Sequence, residues 1–169
     1  ILDILERRGS GQTALVVYSA NAFTVTPLTT DTDTIAAQVS SLTSDLLPVR
    51  GDKRTDLVLE KAGELLRQAG APDGQVILLT DGLDHPAAAY DAARALRGQG
   101  YTVSVLGMGT AKGAPVALAD GGFLKDAGGA ILLPKLDRAG LSELAAVGAG
   151  RFVTAGLGDR DIEALSADE

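Results

Sequence analysis

Val76-Ile77-Leu78-Leu79-Thr80-Asp81-Gly82 joins an apolar run without alternation to a carboxylate and a glycine directly behind it. Such a run is typical of a strand buried on both faces, and it therefore favours a parallel sheet covered by helices. Open α/β sheets place their sites at the carboxyl ends of these strands. Taken alone, Asp81-Gly82 is more often a simple turn. The rest of the chain must decide between a site and a turn.

Composition restricts the class of protein. The chain has 169 residues, which suffices for one domain with a sizeable core. Its net charge of −7 and its scattered basic residues argue against nucleic acid as a partner, because phosphate binding needs clustered Lys and Arg. The absence of cysteine excludes disulfides and zinc–thiolate sites, and the single histidine, His85, excludes a multi-histidine metal centre. No apolar run is long enough to span a bilayer, so we expect the chain itself to be soluble.

Strand and helix patterns alternate along most of the chain. Apolar strands are predicted at residues 13–19, 75–80 and 101–106, and amphipathic helices at 55–69 and 86–97. This alternation of strands and helices predicts right-handed βαβ units and a doubly wound, mostly parallel α/β sheet with helices on both faces.

Further elements are predicted around this sheet. They are a helix at 1–8, an antiparallel edge strand at 22–26 that stops at Pro27, a short helix from Asp33 or Thr34 to Leu42, a glycine-rich β-hairpin within 111–136, a helix capped by Asp137, a strand at 152–154 and a helical turn at 159–167. In the helix at 86–97 the face Ala88, Ala92, Ala95 and Leu96 is predicted to pack on the sheet. Residues 1–156 are interpreted as one domain and 157–169 as a helical tail or the start of a linker.

Thr55 and Asp81 are the candidate ligands of a hard cation. Thr55 is predicted to be the N-cap of its helix, with Asp56 in the first turn. Its hydroxyl and the Asp81 carboxylate are oxygen ligands of the kind that Mg²⁺ prefers. Two oxygen ligands do not by themselves make a site.

Catalytic motifs are weak or absent in the sequence. No phosphate-binding loop ending in Gly-Lys-Ser or Gly-Lys-Thr occurs, and Lys112 replaces the third glycine of a dinucleotide fingerprint. An aspartyl-phosphate enzyme would use Asp81 as nucleophile with a second carboxylate two residues later. Here Asp84 is three residues later, so this hydrolase hypothesis remains only an alternative. His85 has no evident nucleophile partner and is interpreted as a capping or surface residue.

The chain resembles a known family. Leu79-Thr80-Asp81-Gly82 preceded by Thr55-Asp56 resembles the von Willebrand factor A domain. Three segments further resemble the bacterial Bat proteins, aerotolerance-type membrane proteins whose genes accompany MoxR-type ATPases. These segments are Pro27-Leu28-Thr29-Thr30-Asp31, Leu79-Thr80-Asp81-Gly82, and Gly113-Ala114-Pro115 followed by Gly121-Gly122-Phe123-Leu124-Lys125-Asp126.

The resemblance implies a Rossmann-like sheet with a metal-ion-dependent adhesion site at its carboxyl edge. Thr55 matches the family's threonine and Asp81 its aspartate, and Asp84 is a candidate auxiliary ligand. The family's Asp-x-Ser-x-Ser loop does not occur in this sequence, which begins in the helix that should follow that loop. We therefore expect a piece of a longer protein that lacks the first, central strand and that holds Mg²⁺ or Mn²⁺ weakly or not at all.

The resulting hypothesis is a binding module rather than an enzyme. In its full form the domain would bind an acidic residue of a partner protein through Mg²⁺ or Mn²⁺. MoxR-type ATPases and other Bat proteins are the partners that the resemblance implies. It also implies a bacterial inner-membrane protein with this domain on the periplasmic side. The alternatives are a hydrolase that uses Asp81 and a metal-free structural scaffold. Without its central strand, the chain is also expected to self-associate.

Overall fold

The described part of the chain contains five helices and five strands. The computed structural model describes residues 1–7, 11–42, 51–109, 112–113, 121–123, 125, 128–131 and 135–156. The elements are α1 (Leu2–Arg7), β1 (Thr13–Tyr18), β2 (Ala22–Thr29), α2 (Thr32–Ser41), α3 (Thr55–Gln68), β3 (Gly74–Thr80), α4 (Pro86–Gly98), β4 (Tyr101–Gly107), α5 (Arg138–Val147) and β5 (Ala149–Thr154).

The strands β3, β4 and β5 form a parallel sheet in that order. β3 and β4 pair without interruption from Gly74 opposite Tyr101 to Thr80 opposite Gly107. Parallel neighbours need a crossover connection, and α4 and α5 supply the two crossovers. The predicted βαβ units and the α/β class are therefore confirmed.

The strands β1 and β2 form an antiparallel hairpin with irregular register near Leu15. Our prediction that β2 ends before Pro27 is wrong, because the strand continues to Thr29. Proline lacks an N–H donor, but an edge strand tolerates it where the missing donor would point away from the neighbouring strand. β2 pairs with β1 alone among the described strands, so it has such a free side.

An apolar groove separates β1 from β3. In the described part of the chain β1 pairs only with β2, and β3 pairs only with β4. Between them lies a cavity of about 670 Å³, lined by both strands and by apolar side chains of α1, α2 and α3. The hydroxyls of Thr13 and Tyr18, which also line this groove, are buried without a hydrogen-bond partner among the described residues. The structure thus has room for a strand between β1 and β3.

The core lies between the parallel sheet and the helices. Val103 and Val105 of β4 pack with Leu59 of α3 and with Leu141 and Leu144 of α5, and all five are fully buried. Their burial matches the apolar stripes that define these helices.

The buried face of α4 differs from our prediction. Ala89, Ala93 and Leu96 are buried, whereas Ala88 and Ala95 are exposed. The predicted face and the buried face of α4 are offset by one residue, and both carry alanines. The side that packs on the sheet is therefore set by the orientation of the helix and not by composition.

The glycine-rich segment after β4 is described only in part. Lys125 and Ile131 form an isolated antiparallel bridge, as the predicted hairpin requires. The remainder of that hairpin lies outside the described residues, as does the predicted helical turn at 159–167. Within the described ranges, no helix is both long and apolar enough to cross a membrane.

Candidate functional site

Loops that follow three strands meet at one edge of the fold. The backbone N–H of Met108, after β4, donates to the carbonyl of Thr80 at the end of β3, at 2.8 Å. The N–H of Arg54, just before α3, donates to the carbonyl of Ser19 after β1, also at 2.8 Å. The carboxyl ends of β1, β3 and β4 thus surround the start of α3, which is where α/β sheets place their sites.

Asp81 is held at this edge by its backbone and by its side chain. Its carbonyl accepts a hydrogen bond from the N–H of Asp137 at 2.9 Å. Its Oδ1 lies 2.5 Å from Nζ of Lys53, and the two side chains are about half and one third exposed. Just before it, the buried hydroxyl of Thr80 donates to the carbonyl of Gly82 at 3.1 Å, which tightens the turn. Asp81 therefore presents a carboxylate from a fixed loop.

Thr55 is the first residue of α3 and is almost completely buried, with 2% of its surface exposed. Our prediction that it is the N-cap is wrong, because Arg54 occupies that position without a capping side-chain bond. The Oγ1 of Thr55 has no hydrogen-bond partner in the described part of the chain. A buried hydroxyl without a partner costs free energy unless another group satisfies it.

Lys53 connects the loop before α3 with the loop after β3. In addition to its contact with Asp81, its backbone N–H donates to Oδ2 of Asp84 at 2.6 Å. Lys53 therefore contacts both Asp81 and Asp84, and it lies two residues before Thr55. Lys53 was not predicted as a site residue, because nothing in the sequence near it identifies a partner 28 residues away.

Arg54 and Asp56 fix the start of α3, and the role of Arg54 was also missed. The Nε and Nη2 of Arg54 donate to the two carboxylate oxygens of Asp56 at 2.9 and 2.6 Å. These hydrogen bonds lower the pKa of Asp56 against the opposing effect of burial. The sequence does contain a signal for this ion pair, because Arg54 and Asp56 carry opposite charges and are only two residues apart.

His85 lies at the rim of this edge. Its Nε2 is 3.3 Å from Oδ2 of the exposed Asp52, and the imidazole itself is about half exposed. It occupies the N-cap position of α4 but makes no capping side-chain bond. Its position agrees with the interpretation of a surface residue.

The oxygen atoms at this edge fit part of a hard-cation site. The unpartnered Thr55 hydroxyl and the Asp81 carboxylate are suitable donors for Mg²⁺ or Mn²⁺. Across the described ranges, however, no group of three or more Asp, Glu, His or Cys residues is placed to hold a metal ion. Near-octahedral Mg²⁺ coordination thus needs further oxygen ligands, from water, from a partner or from other protein segments.

The sequence and structure comparisons with known proteins agree with each other. The model of the von Willebrand factor type A domain matches residues 2–118. BatB from Bacteroides thetaiotaomicron is 25% identical with a TM-score of 0.88, over 98% of this chain and 81% of its own. An aerotolerance-related membrane protein from Bacteroides fragilis is 22% identical with a TM-score of 0.90, over 99% and 83%. A von Willebrand factor type A protein from Catenulispora acidiphila is 20% identical with a TM-score of 0.63, over 99% and 34%. No curated protein sequence matches the chain.

Proposed function

The chain belongs to the von Willebrand factor type A family, and we propose that it is a Bat-like protein-binding module that acts through a divalent cation at the edge formed by Thr55 and Asp81. Mg²⁺ or Mn²⁺ would bind these two oxygens, and an acidic side chain of a partner protein would occupy an open coordination position. The metal would supply the electrostatic attraction for that carboxylate. The protein's own residues position the two oxygens: Thr55 is the first residue of α3, and the carbonyl of Asp81 accepts a hydrogen bond from Asp137.

The buried Thr55 hydroxyl is the observation that carries this proposal. A threonine on the surface could be satisfied by water, but Oγ1 of Thr55 is inaccessible to water and has no described partner. A buried oxygen without a partner needs a specific explanation, and coordination of an ion is one such explanation. Asp81, whose carboxylate contacts Lys53 two residues before Thr55, would supply the negative charge that a cation needs.

Both alternatives remain open to test, but neither has a specific observation in its favour. For the hydrolase that uses Asp81, Asp84 is the second carboxylate, and it is bound to the backbone of Lys53. The hypothesis of a metal-free scaffold does not explain why the Thr55 hydroxyl is buried without a described partner.

Cellular context forms a further part of the proposal. The Bacteroides fragilis neighbour is an aerotolerance-related membrane protein, and we propose that this domain likewise serves an inner-membrane protein, on the periplasmic side. MoxR-type ATPases and other Bat proteins are the proposed partners, with the contact made through an acidic residue.

Paramagnetic Mn²⁺ tests the cation position directly. Even at low occupancy, Mn²⁺ broadens the amide resonances of residues beside it, so a weak site is still detected. We expect selective broadening at Thr55, Asp81 and Gly82, its reversal by a chelator, and its loss in Asp81→Asn combined with Thr55→Val. Acetate serves as a probe carboxylate and should shift the same resonances only when Mg²⁺ is present. Broadening spread evenly over the acidic surface would contradict the proposal.

A further inference from the structure

Lys53 binds both candidate carboxylates of the proposed cation site. Its Nζ lies 2.5 Å from Oδ1 of Asp81, and its backbone N–H donates to Oδ2 of Asp84 at 2.6 Å. It is also only two residues before Thr55. One residue thus connects the loop after β3 with the start of α3.

The ammonium group and a divalent ion compete for the negative charge at Oδ1 of Asp81. Mg²⁺ binds carboxylate oxygens at about 2.0–2.1 Å, and the ammonium nitrogen already lies 2.5 Å from that oxygen. Two cations this close to one atom would repel each other strongly. A lysine ammonium is a compact point charge, so it can neutralise Asp81 in the way that a bound ion would.

We propose that Lys53 is an internal competitor for the cation position of Asp81, so that a divalent ion binds only when the ammonium moves away. This inference rests on the proposed function, because it concerns the same site. It assigns Lys53 the role of a specificity-determining residue, which sets how much divalent cation the site requires. The contact of its backbone with Asp84 holds the loop in place while the side chain moves.

The exposure of the pair makes this displacement easy. The side chain of Lys53 is 34% exposed and that of Asp81 is 47% exposed. Exposed ion pairs are weak, and the long lysine stem can turn into solvent. Removal of the competitor should therefore raise divalent affinity by about threefold to tenfold, since tenfold corresponds to about 1.4 kcal/mol.

The chain contains a matched control for this test. Lys61 lies on α3 and pairs with Glu64 at 2.7 Å, with 38% of its side chain exposed. Lys61→Met and Lys53→Met each remove one positive charge, so they change the net charge by the same amount. A general effect of charge on cation binding would appear in both variants, whereas competition at Asp81 would appear only in Lys53→Met.

The experiment compares Mn²⁺ titrations of the parent chain, Lys53→Met, Lys53→Arg and Lys61→Met. The readout is the broadening of the Thr55 and Asp81 amide resonances, with circular dichroism to verify folding. We expect tighter Mn²⁺ binding by about threefold to tenfold in Lys53→Met, and affinities like the parent's in Lys53→Arg and Lys61→Met. Lys53→Gln provides a second neutral variant if the methionine variant folds poorly.

The outcomes separate this inference from the proposed function. Localised broadening with equal affinity in the parent and in both neutral Lys53 variants would overturn the role of Lys53 and leave the cation site intact. An equal gain in Lys53→Met and Lys61→Met would also overturn it, because the effect would then be one of net charge. No localised broadening in any variant would overturn the cation site and, with it, the competition.

Discussion

Filling the groove between β1 and β3 should stabilise this chain and reduce its self-association. In the described part of the molecule each of these strands is paired on one side only, and the groove between them has a volume of about 670 Å³. Their carboxyl ends meet at the same edge, so a strand placed between them would run parallel to both. The perturbation is a tethered strand of about six β-branched residues, fused ahead of Ile1 through a flexible linker.

The size of the effect follows from the open strand edges. β1 has six residues and β3 has seven, and alternate residues of a strand direct their N–H and C=O groups to the same side. The two edges therefore carry on the order of 12 backbone groups that no described strand pairs, and each such group costs about 1 kcal/mol or more where it finds no other partner and water is excluded. Their sum is comparable with the whole stability of a domain, about 5–15 kcal/mol. We therefore expect the unmodified chain to be poorly stable and to self-associate or domain-swap through these edges.

The assay combines sedimentation velocity over a range of concentrations with thermal unfolding. We expect the parent chain to associate as its concentration rises and the strand fusion to stay monomeric. Because ordering the added strand offsets much of the gain, the net stabilisation should be a few kcal/mol, which is a rise in Tm of about 10 °C. A fusion of equal length with alternating prolines is the control, since proline cannot pair in the middle of a sheet.

One result would refute this reasoning. If the parent chain is a compact monomer with a cooperative melt at every concentration, and the added strand leaves both properties unchanged, the groove is not a vacant strand position. Hydrogen exchange gives an independent check, because amides of β1 and β3 should exchange faster than those of β4 in the parent and become protected in the fusion.

Three further predictions follow from other sites. Calorimetric titration of the chain with millimolar Mg²⁺ should be flat, because the described residues supply too few oxygen ligands for more than weak binding; a tight one-to-one isotherm abolished by Asp81→Ala would contradict this expectation. The pKa of Asp56 is lowered from 3.8 by Arg54, so its ion pair stabilises the fold above pH 3.8, and this contribution is lost as the pH falls through the lower pKa of the folded state. Asp56→Asn should therefore lower the unfolding free energy near neutral pH and flatten its decline in acid, as measured by urea unfolding at several pH values; an unchanged acid profile would argue against the pair. Leu59→Ala should cost about 2–5 kcal/mol of unfolding free energy, because the side chain is fully buried. Leu2→Ala, at a 40% exposed position, should cost far less. Equal losses for the two variants in chemical denaturation would show that Leu59 is not part of the core.

Local chemistry made part of the site predictable. The uninterrupted apolar run before Asp81 predicted a strand buried on both faces. The strand is confirmed and places the Asp81 carboxylate at the carboxyl edge of the sheet, but only Leu78 and Thr80 are buried and its other residues are half-buried. Asp137 was predicted as a cap, and its side chain indeed accepts a hydrogen bond from the N–H of Gly140 at 3.0 Å. Both predictions depend on residues that are close in sequence, whose geometry is fixed by strand and helix periodicity.

The sequence by itself thus determined the α/β class, the order of the βαβ units and the position of Asp81. Tertiary structure alone decided that Lys53 contacts Asp81 and that the hydroxyl of Thr55 is buried without a described partner. It also decided which alanines of α4 are buried. The physical reason is that periodicity specifies one element at a time. Contacts between residues far apart in sequence depend on how whole elements pack, and no local pattern encodes that packing.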